Sequence, residues 1–233
     1  MIDIRNRFLT GTDTEVGKTY AACTLIRYWR SQGFRATGYK PVAAGGRRDN
    51  NGIIINEDAS RLLDASSKGA TLSRINPISL EQAIAPHVAA ADEKRAIAPA
   101  PILRGYAGLA QDFDRVVVEG VGGFRVPLSA DFDSADLAVA LGLPVVLVVG
   151  LRLGCINHAL LTAEAILARG LPLAAWIGNT LNPMMARQSD SVLALRQRIA
   201  APCLGILPWS TDPEDAVSAL RFGSVDSEKQ AAT

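Results

Sequence analysis

The chain has 233 residues, 48% of them hydrophobic and 20% charged, with a formal net charge of +1. That length suits one large α/β domain, and the apolar fraction supplies an ample core. Lys and Arg are scattered rather than clustered, which argues against nucleic acid or an anionic membrane as a partner.

Apolar runs of strand length alternate with helical patterns, as in a parallel sheet covered by helices on both faces. Arg7 to Thr10 reads as a first strand. After a glycine-bearing turn, Ala21, Ala22, Leu25, Ile26 and Trp29 recur at helical spacing, and Gly33 ends that helix. Ala36 to Lys40 reads as a second strand, closed by Pro41. A polar loop from Gly45 to Asn56, expected to be a mobile flap, leads to a short helix beginning near Asp58. Ser79 to Asp92 and Ile102 to Asp112 read as helices, and Arg115 to Glu119 and Val145 to Val149 as buried strands. The longest apolar run, Leu137 to Leu151, is broken by Gly142 and Pro144 and falls short of the ~20 residues of a membrane span. Ile156 to Arg169 reads as an amphipathic helix with Gly170 as terminator. Leu173 to Ile177 and Leu204 to Leu207 read as the last strands, flanking a helix from Met185 to Ile199. Residues 1–223 are expected to form one domain and 224–233 a polar tail.

Three cysteines, Cys23, Cys155 and Cys203, form neither a CxxC pair nor a metal-binding cluster. Reduced thiols in a cytoplasmic protein are the expectation, and no apolar stretch follows the first charges to suggest a signal peptide.

The strongest motif is Thr10-Gly-Thr-Asp-Thr-Glu-Val-Gly-Lys-Thr-Tyr20, lying between a strand and a helix. A lone Gly-Lys-Thr could mark a turn that merely needs glycine. With strand, loop and helix in place, the segment reads as a phosphate-binding P-loop. Backbone N–H groups around Gly17 and the positive end of the helix would meet phosphate oxygens, Lys18 would add a point charge, and Thr19 would face Mg²⁺. The consensus glycine five positions before the Gly-Lys pair is replaced by Thr12, with Gly11 one residue earlier. Glu119 closes an apolar strand and precedes Gly120, Gly122 and Gly123, where a carboxylate can hold a hard cation. Asp58 could be a metal ligand or a helix cap, and Glu57 could serve as well. Lys40 could face the same carboxyl edge of the sheet or be a snorkelling surface lysine.

Together these segments resemble the dethiobiotin synthetase family, from about Phe8 to Glu214. The resemblance is carried by the P-loop, by Gly38-Tyr-Lys-Pro-Val42, by Val118-Glu-Gly-Val-Gly-Gly123, and by Leu153-Gly-Cys-Ile-Asn-His-Ala159, with Pro208-Trp209 and Pro213-Glu214 in agreement. It implies a single P-loop NTPase-type α/β domain. It also implies ATP-dependent carboxylation and ring closure of 7,8-diaminopelargonic acid with CO₂, through a carbamate and a phosphorylated carbamate. By position, Thr19, Asp58 and Glu119 would hold Mg²⁺, and Lys18 and Lys40 would be catalytic. Glu15, Val16, Gly17, Lys18, Thr19 and Tyr20 would wrap the phosphates of ATP, with Gly120, Val121 and Gly122 beside them. Asn179 and Thr180 would meet adenine, and Pro208, Trp209, Ser210 and Glu214 would line the base and ribose. Thr14, Lys18, Lys40 and Ala44 would touch the diamine's reacting end. Leu151, Gly154, Cys155 and Asn157 would take its far carboxylate across the interface of a homodimer. Packing and helix-end roles, not nucleophile or base, are expected of Cys155 and His158.

Three positions depart from the family pattern: Ala44 where a serine can stand, Thr180 where an aspartate often stands, and Ser191 near an expected aromatic residue. The main rival is a nucleotide-switch ATPase of the kind that partitions plasmids or positions division machinery. Such proteins carry a second lysine early in the P-loop, where this chain has Thr12-Asp-Thr-Glu15.

Overall fold

The computed structural model describes residues 6–210 and 212–222. In chain order the elements begin with β1 (Arg7–Gly11), α1 (Lys18–Ser31), β2 (Ala36–Tyr39) and β3 (Val42–Ala43). A two-stranded hairpin of β4 (Arg47–Arg48) and β5 (Ile54–Ile55) precedes α2 (Glu57–Ala65) and α3 (Leu72–Ile75). Next come β6 (Ile78–Ser79), α4 (Pro86–Asp92), α5 (Pro99–Asp112) and β7 (Arg115–Gly123). The remainder is α6 (Ser134–Leu141), β8 (Val145–Leu151), α7 (Cys155–Ala168), β9 (Leu173–Thr180), α8 (Gln188–Arg198), β10 (Cys203–Leu207) and α9 (Pro213–Val217).

Six strands form one sheet in the order β10-β9-β8-β1-β7-β2, and every pairing in it is parallel. The central strands are mostly apolar because both of their faces are covered: all seven residues of β8 are buried. One face packs against α1, α2, α3 and α9 around Leu25, Ile26, Trp29, Leu62 and Val117. The other packs against α4 to α8 around Phe8, Ile102, Leu109, Leu147 and Ile166. This is the single α/β domain expected from the alternating pattern.

Gly38 in β2 sets how closely α2 approaches the sheet. A Cβ at Gly38 would lie 2.8 Å from Leu62 Cδ2 and 2.9 Å from Leu62 Cβ, so only glycine leaves room for the helix. Asn56 caps α2 by accepting from the Ala59 N–H at 3.3 Å.

Several expected boundaries move. Ser79 to Asp92 is not one helix: β6 ends at Ser79, residues 80–85 bend, and the helix begins at Pro86. Proline restricts the residue before it to extended geometry, and Ala85 has φ −56° and ψ 132°. The helix expected from Met185 starts at Gln188, after Arg187 in the left-handed region at φ 57°. Glu119 does not close its strand, since β7 runs on to Gly123 and Gly123 pairs with Gly11. The polar loop 45–56 contains the short hairpin, whose turn is knit by Asp49 Oδ1 accepting from the Asn51 and Ile53 N–H groups. The tail expected from residue 224 lies outside the described residues.

Leu62 is fully buried between α2 and β2. Leu62→Ala is expected to destabilise the chain by about 2–5 kcal/mol, the usual cost of an emptied core site. Urea unfolding measures it, and a loss below ~0.5 kcal/mol would mean that α2 is not held by this contact.

Candidate functional site

The loop between β1 and α1 brings the P-loop to the carboxyl end of the sheet. Gly17 precedes α1 with φ 83°, and a Cβ there would lie 2.1 Å from Asn179 Nδ2. No side chain among the described residues caps α1, which leaves its first N–H groups for a ligand. Glu15 also sits at positive φ, 59°, a local strain of the kind found at ligand-binding turns. Gly11 explains the displaced glycine. A Cβ there would come within 2.6 Å of Val16 Cγ2, whereas Thr12 continues the sheet by donating its N–H to the Val148 carbonyl at 3.0 Å.

Lys18 is only 6% exposed and donates from Nζ to the Asp13 carbonyl at 3.0 Å. Burial, followed by the nearby charge of Lys40, pushes its pKa down to about 8. Asp13 in turn holds Arg152 at 2.6 Å, which ties the P-loop to the turn after β8.

Lys40 follows β2 and is held by its backbone on both sides. Its N–H donates to the Ile75 carbonyl at 2.8 Å, and its carbonyl accepts from Asn76 Nδ2 at 2.7 Å. Its ammonium is 2.5 Å from Glu119 Oε1 and 3.3 Å from Asp58 Oδ2. Burial alone would lower its pKa, but the Glu119 and Asp58 charges outweigh burial and raise it. For Asp58, burial works upward and is overcome first by Lys40, so its carboxyl is held below the usual range. Thr19 Oγ1 donates to Glu119 Oε1 at 2.8 Å. Glu119 Oε2 is buried and has no hydrogen-bond partner among the described residues. A hydroxyl and two carboxylates, one with an unpartnered buried oxygen, form the all-oxygen set that suits a hard divalent ion such as Mg²⁺.

These groups line a cleft of about 760 Å³. From the P-loop it receives Thr14, Glu15, Gly17, Lys18, Thr19 and Tyr20; from the rest of the chain, Lys40, Ala44, Asp58, Glu119, Val121 and Gly122. The side chain of Val16 turns into the core, and its carbonyl accepts from Asn179 Nδ2 at 3.1 Å. Gly120 contributes its carbonyl, 3.4 Å from Lys40 Nζ. Asn179 and Thr180 end β9 beside the loop, and Thr180 accepts from Gln188 Nε2 at 3.2 Å.

Pro208, Trp209, Ser210 and Glu214 do not line this cleft. They gather beside α1, where Glu214 pairs with Arg27 at 2.9 Å and Trp209 is 66% exposed. Leu151, Gly154, Cys155 and Asn157 also lie outside the cleft lining. Leu151 and Cys155 have buried side chains, so only their backbone could meet a ligand; Asn157 is exposed.

Residues without a sequence assignment also face the cleft. Asn56, which the sequence placed only at the end of the polar loop, caps α2 and also donates to the Ala44 carbonyl at 3.1 Å. Arg61 and the segment Ala83–Pro86 carried no signal, the latter because a helix was expected there.

The fold and the cleft define a P-loop nucleotide-binding enzyme. The chain matches the AAA domain family over residues 5–216. It is 52% identical over 224 residues to the ATP-dependent dethiobiotin synthetase of Aromatoleum aromaticum, covering 95% of this chain and 99% of that one. The corresponding protein of Ralstonia nicotianae is 50% identical over 215 residues, covering 91% and 92%. The chain belongs to the dethiobiotin synthetase family. Among solved structures, the MinD cell division protein of Aquifex aeolicus aligns with a TM-score of 0.53 at 15% identity, covering 92% of this chain and 86% of that one. A ParA family ATPase from Chlorobium tepidum gives 0.54 at 15%, covering 93% and 90%. At that identity the likeness is one of fold.

A lysine with a depressed pKa loses its charge as pH rises through about 8. Phosphate binding restores that charge, so above pH 8 nucleotide should bind more weakly and take up a proton. Calorimetric titration with ADP in two buffers of different ionisation enthalpy, at pH 7 and pH 9, should show uptake only at the higher pH. No uptake at pH 9 would remove Lys18 from the phosphate contact.

Proposed function

We propose that this chain closes the cyclic urea of dethiobiotin from 7,8-diaminopelargonic acid, CO₂ and ATP, releasing ADP and phosphate. The observation that carries this function is the convergence of Lys18, Lys40, Thr19, Asp58 and Glu119 in one cleft, in a chain about half identical to dethiobiotin synthetases along nearly its whole length.

One amine of the substrate adds to CO₂ to form a carbamate. A carbamate oxygen attacks the γ-phosphorus of ATP, and the neighbouring amine displaces phosphate from the carbonyl carbon to close the ring. Triphosphate, carbamate and the substrate's own carboxylate are all anionic, so charge must be offset where it develops. Lys18, whose Nζ donates to the Asp13 carbonyl of the loop, would meet the transferring phosphoryl. Lys40, held charged by two carboxylates, is placed for the carbamate. Thr19, Asp58 and Glu119 would hold Mg²⁺, which would supply positive charge to offset that of the phosphates. The rest of the catalysis is positioning. Thr14 and Ala44 border the diamine, and Ala44 brings no hydroxyl to it. Asn179, with Thr180 beside it and Pro208 to Ser210 and Glu214 along α1, would receive the base and ribose.

The direct test follows label from bicarbonate into dethiobiotin in the presence of MgATP and the diamine, alongside ADP. Label in product with matched ADP is expected; ADP without labelled product would favour a nucleotide switch. Lys18→Ala should abolish turnover. Lys40→Ala should lower turnover while nucleotide binding is largely kept, and loss of ATP affinity alone would reassign that lysine.

The turn and helix from Leu151 to Asn157 are proposed to receive the substrate's far carboxylate at the interface of a homodimer. Leu153 is 98% exposed and Leu161, two turns further along α7, is 57% exposed. This apolar strip beside Asn157 is suited to cover by a second copy. Sedimentation velocity is expected to show a dimer, and a monomer at micromolar concentration would remove the shared site. A cytoplasmic setting is supported by the three free cysteines, and no helix among the described residues is long and apolar enough to cross a membrane.

A further inference from the structure

One face of α1 fastens a distant segment to the helix of the P-loop. Tyr20, Thr24 and Arg27 follow one another at the spacings of four and three that share a helix face. All three reach residues 212–214. The Tyr20 hydroxyl lies 3.5 Å from the Asp212 carbonyl, and the Thr24 hydroxyl 3.5 Å from that of Pro213. Arg27 donates from Nη1 to Glu214 Oε2 at 2.9 Å, with Asp212 Oδ1 3.8 Å away. Tyr20 also lines the phosphate cleft, so the helix face that opens on the cleft runs on along this segment.

The segment is braced from within. Asp212 Oδ1 accepts from the Glu214 N–H at 2.9 Å. Ser210 Oγ donates to Asp215 Oδ2 at 2.8 Å and accepts from the Asp212 N–H at 3.1 Å. Ala216 and Leu220 anchor its far end, buried in the same core as Leu25 of α1. Asp212 and Asp215 are therefore engaged locally, and Glu214 is the carboxylate that points outward, its side chain 64% exposed. Arg27 is the better buried partner, at 27%. Its Nε is buried and has no partner among the described residues, so the bond to Glu214 is what engages this guanidinium. A carboxylate held by one oxygen still has an acceptor in the other, and the pairing restricts the rotamers it would otherwise sample. The Oε1 atom of Glu214 accepts from no group among the described residues. An oriented, anionic acceptor suits neutral O–H donors and repels phosphate, which is the chemistry of a ribose diol.

We propose that Arg27 is a positioning residue for nucleoside recognition: it holds Glu214 by one oxygen and presents the other to the ribose hydroxyls. The inference rests on the reading that Pro208 to Ser210 and Glu214 receive base and ribose. Arg27 stands about 13 Å along α1 from Lys18, so its effect falls on the nucleoside end and not on the phosphates. Without it, the Glu214 side chain loses its fixed orientation, and the neighbouring carboxylates of Asp212 and Asp215 repel it with no cation between them.

Calorimetric titration of the full chain with the Mg²⁺ complexes of ATP, 2′,3′-dideoxyATP and tripolyphosphate tests it. The native chain should bind ATP about tenfold more tightly than the dideoxy analogue, the scale of a hydrogen bond to a charged group. Arg27→Ala should reduce that ratio to about threefold or less and leave tripolyphosphate affinity unchanged. Arg27→Lys, which keeps a cation beside Glu214, should retain more of the preference than Arg27→Ala. Glu214→Ala should abolish the preference, and adding Arg27→Ala to it should cost nothing further, because the two act as one unit. A native chain with no ribose preference, an unchanged ratio in Arg27→Ala, or a further loss in the double variant would overturn the proposal. So would an equal loss of tripolyphosphate affinity, which marks a general disturbance of the fold. Incorporation of labelled bicarbonate by the native chain is followed separately, so a failed ribose preference and a failed reaction are told apart.

Discussion

Everything at the mouth of the sheet is organised around one buried cation. The ammonium of Lys40 lies between Glu119 and Asp58 with almost no contact with solvent. Charges at that depth are tolerated only when each has its partners, and removal of one leaves the others uncompensated. The three groups come from the end of β2, the start of α2 and the middle of β7. Each element must therefore be placed to within a hydrogen-bond length of the other two. The missing side chain at Gly38 lets α2 come down onto β2, Asn56 fixes where that helix starts, and Ile75 and Asn76 hold the backbone of Lys40 from below. The apolar packing of one face of the sheet is thus set by an electrostatic requirement at its edge.

Most of this architecture was legible in the sequence because its signals are local. The alternation of apolar runs with helical spacing marked the strands and helices, and Gly17-Lys-Thr19 marked where phosphate would bind. What escaped was decided by contacts between distant segments. The glycines after Glu119 looked like the start of a loop, yet they continue β7 because Gly123 finds Gly11 as a partner. Ser79 to Asp92 has helix-forming residues at both ends, but Ser79 pairs with Ala43 and Pro86 restarts the chain. Thr12 stood out as an anomaly in the P-loop, and the close approach of Val16 to Gly11 accounts for it. For Leu151 and Cys155 the sequence could place the segment but not its facing, and both side chains turn into the core.

The same sheet serves proteins of other kinds, as the likeness to MinD and ParA folds makes plain. Strand order and P-loop are common property, and they specify only where a nucleotide can sit. Family membership rests on the identity of 50–52% to dethiobiotin synthetases along nearly the whole chain. The hairpin β4–β5 is flanked by Ala44 and Asn56, which both line the cleft.

The position of β1 has a consequence for how the chain assembles. It is the first strand in the sequence and stands in the interior of the sheet, where Arg7 aligns with Val117 and Phe8 with Val145. Both neighbours are made more than a hundred residues later, so the loop that follows β1 has no walls until they arrive. Contacts this distant along the chain slow folding, because loop closure must precede any gain from pairing. During synthesis the phosphate-binding segment leaves the ribosome early and waits. A fragment ending before β8 would contain every residue of the P-loop yet leave β1 bare along one side.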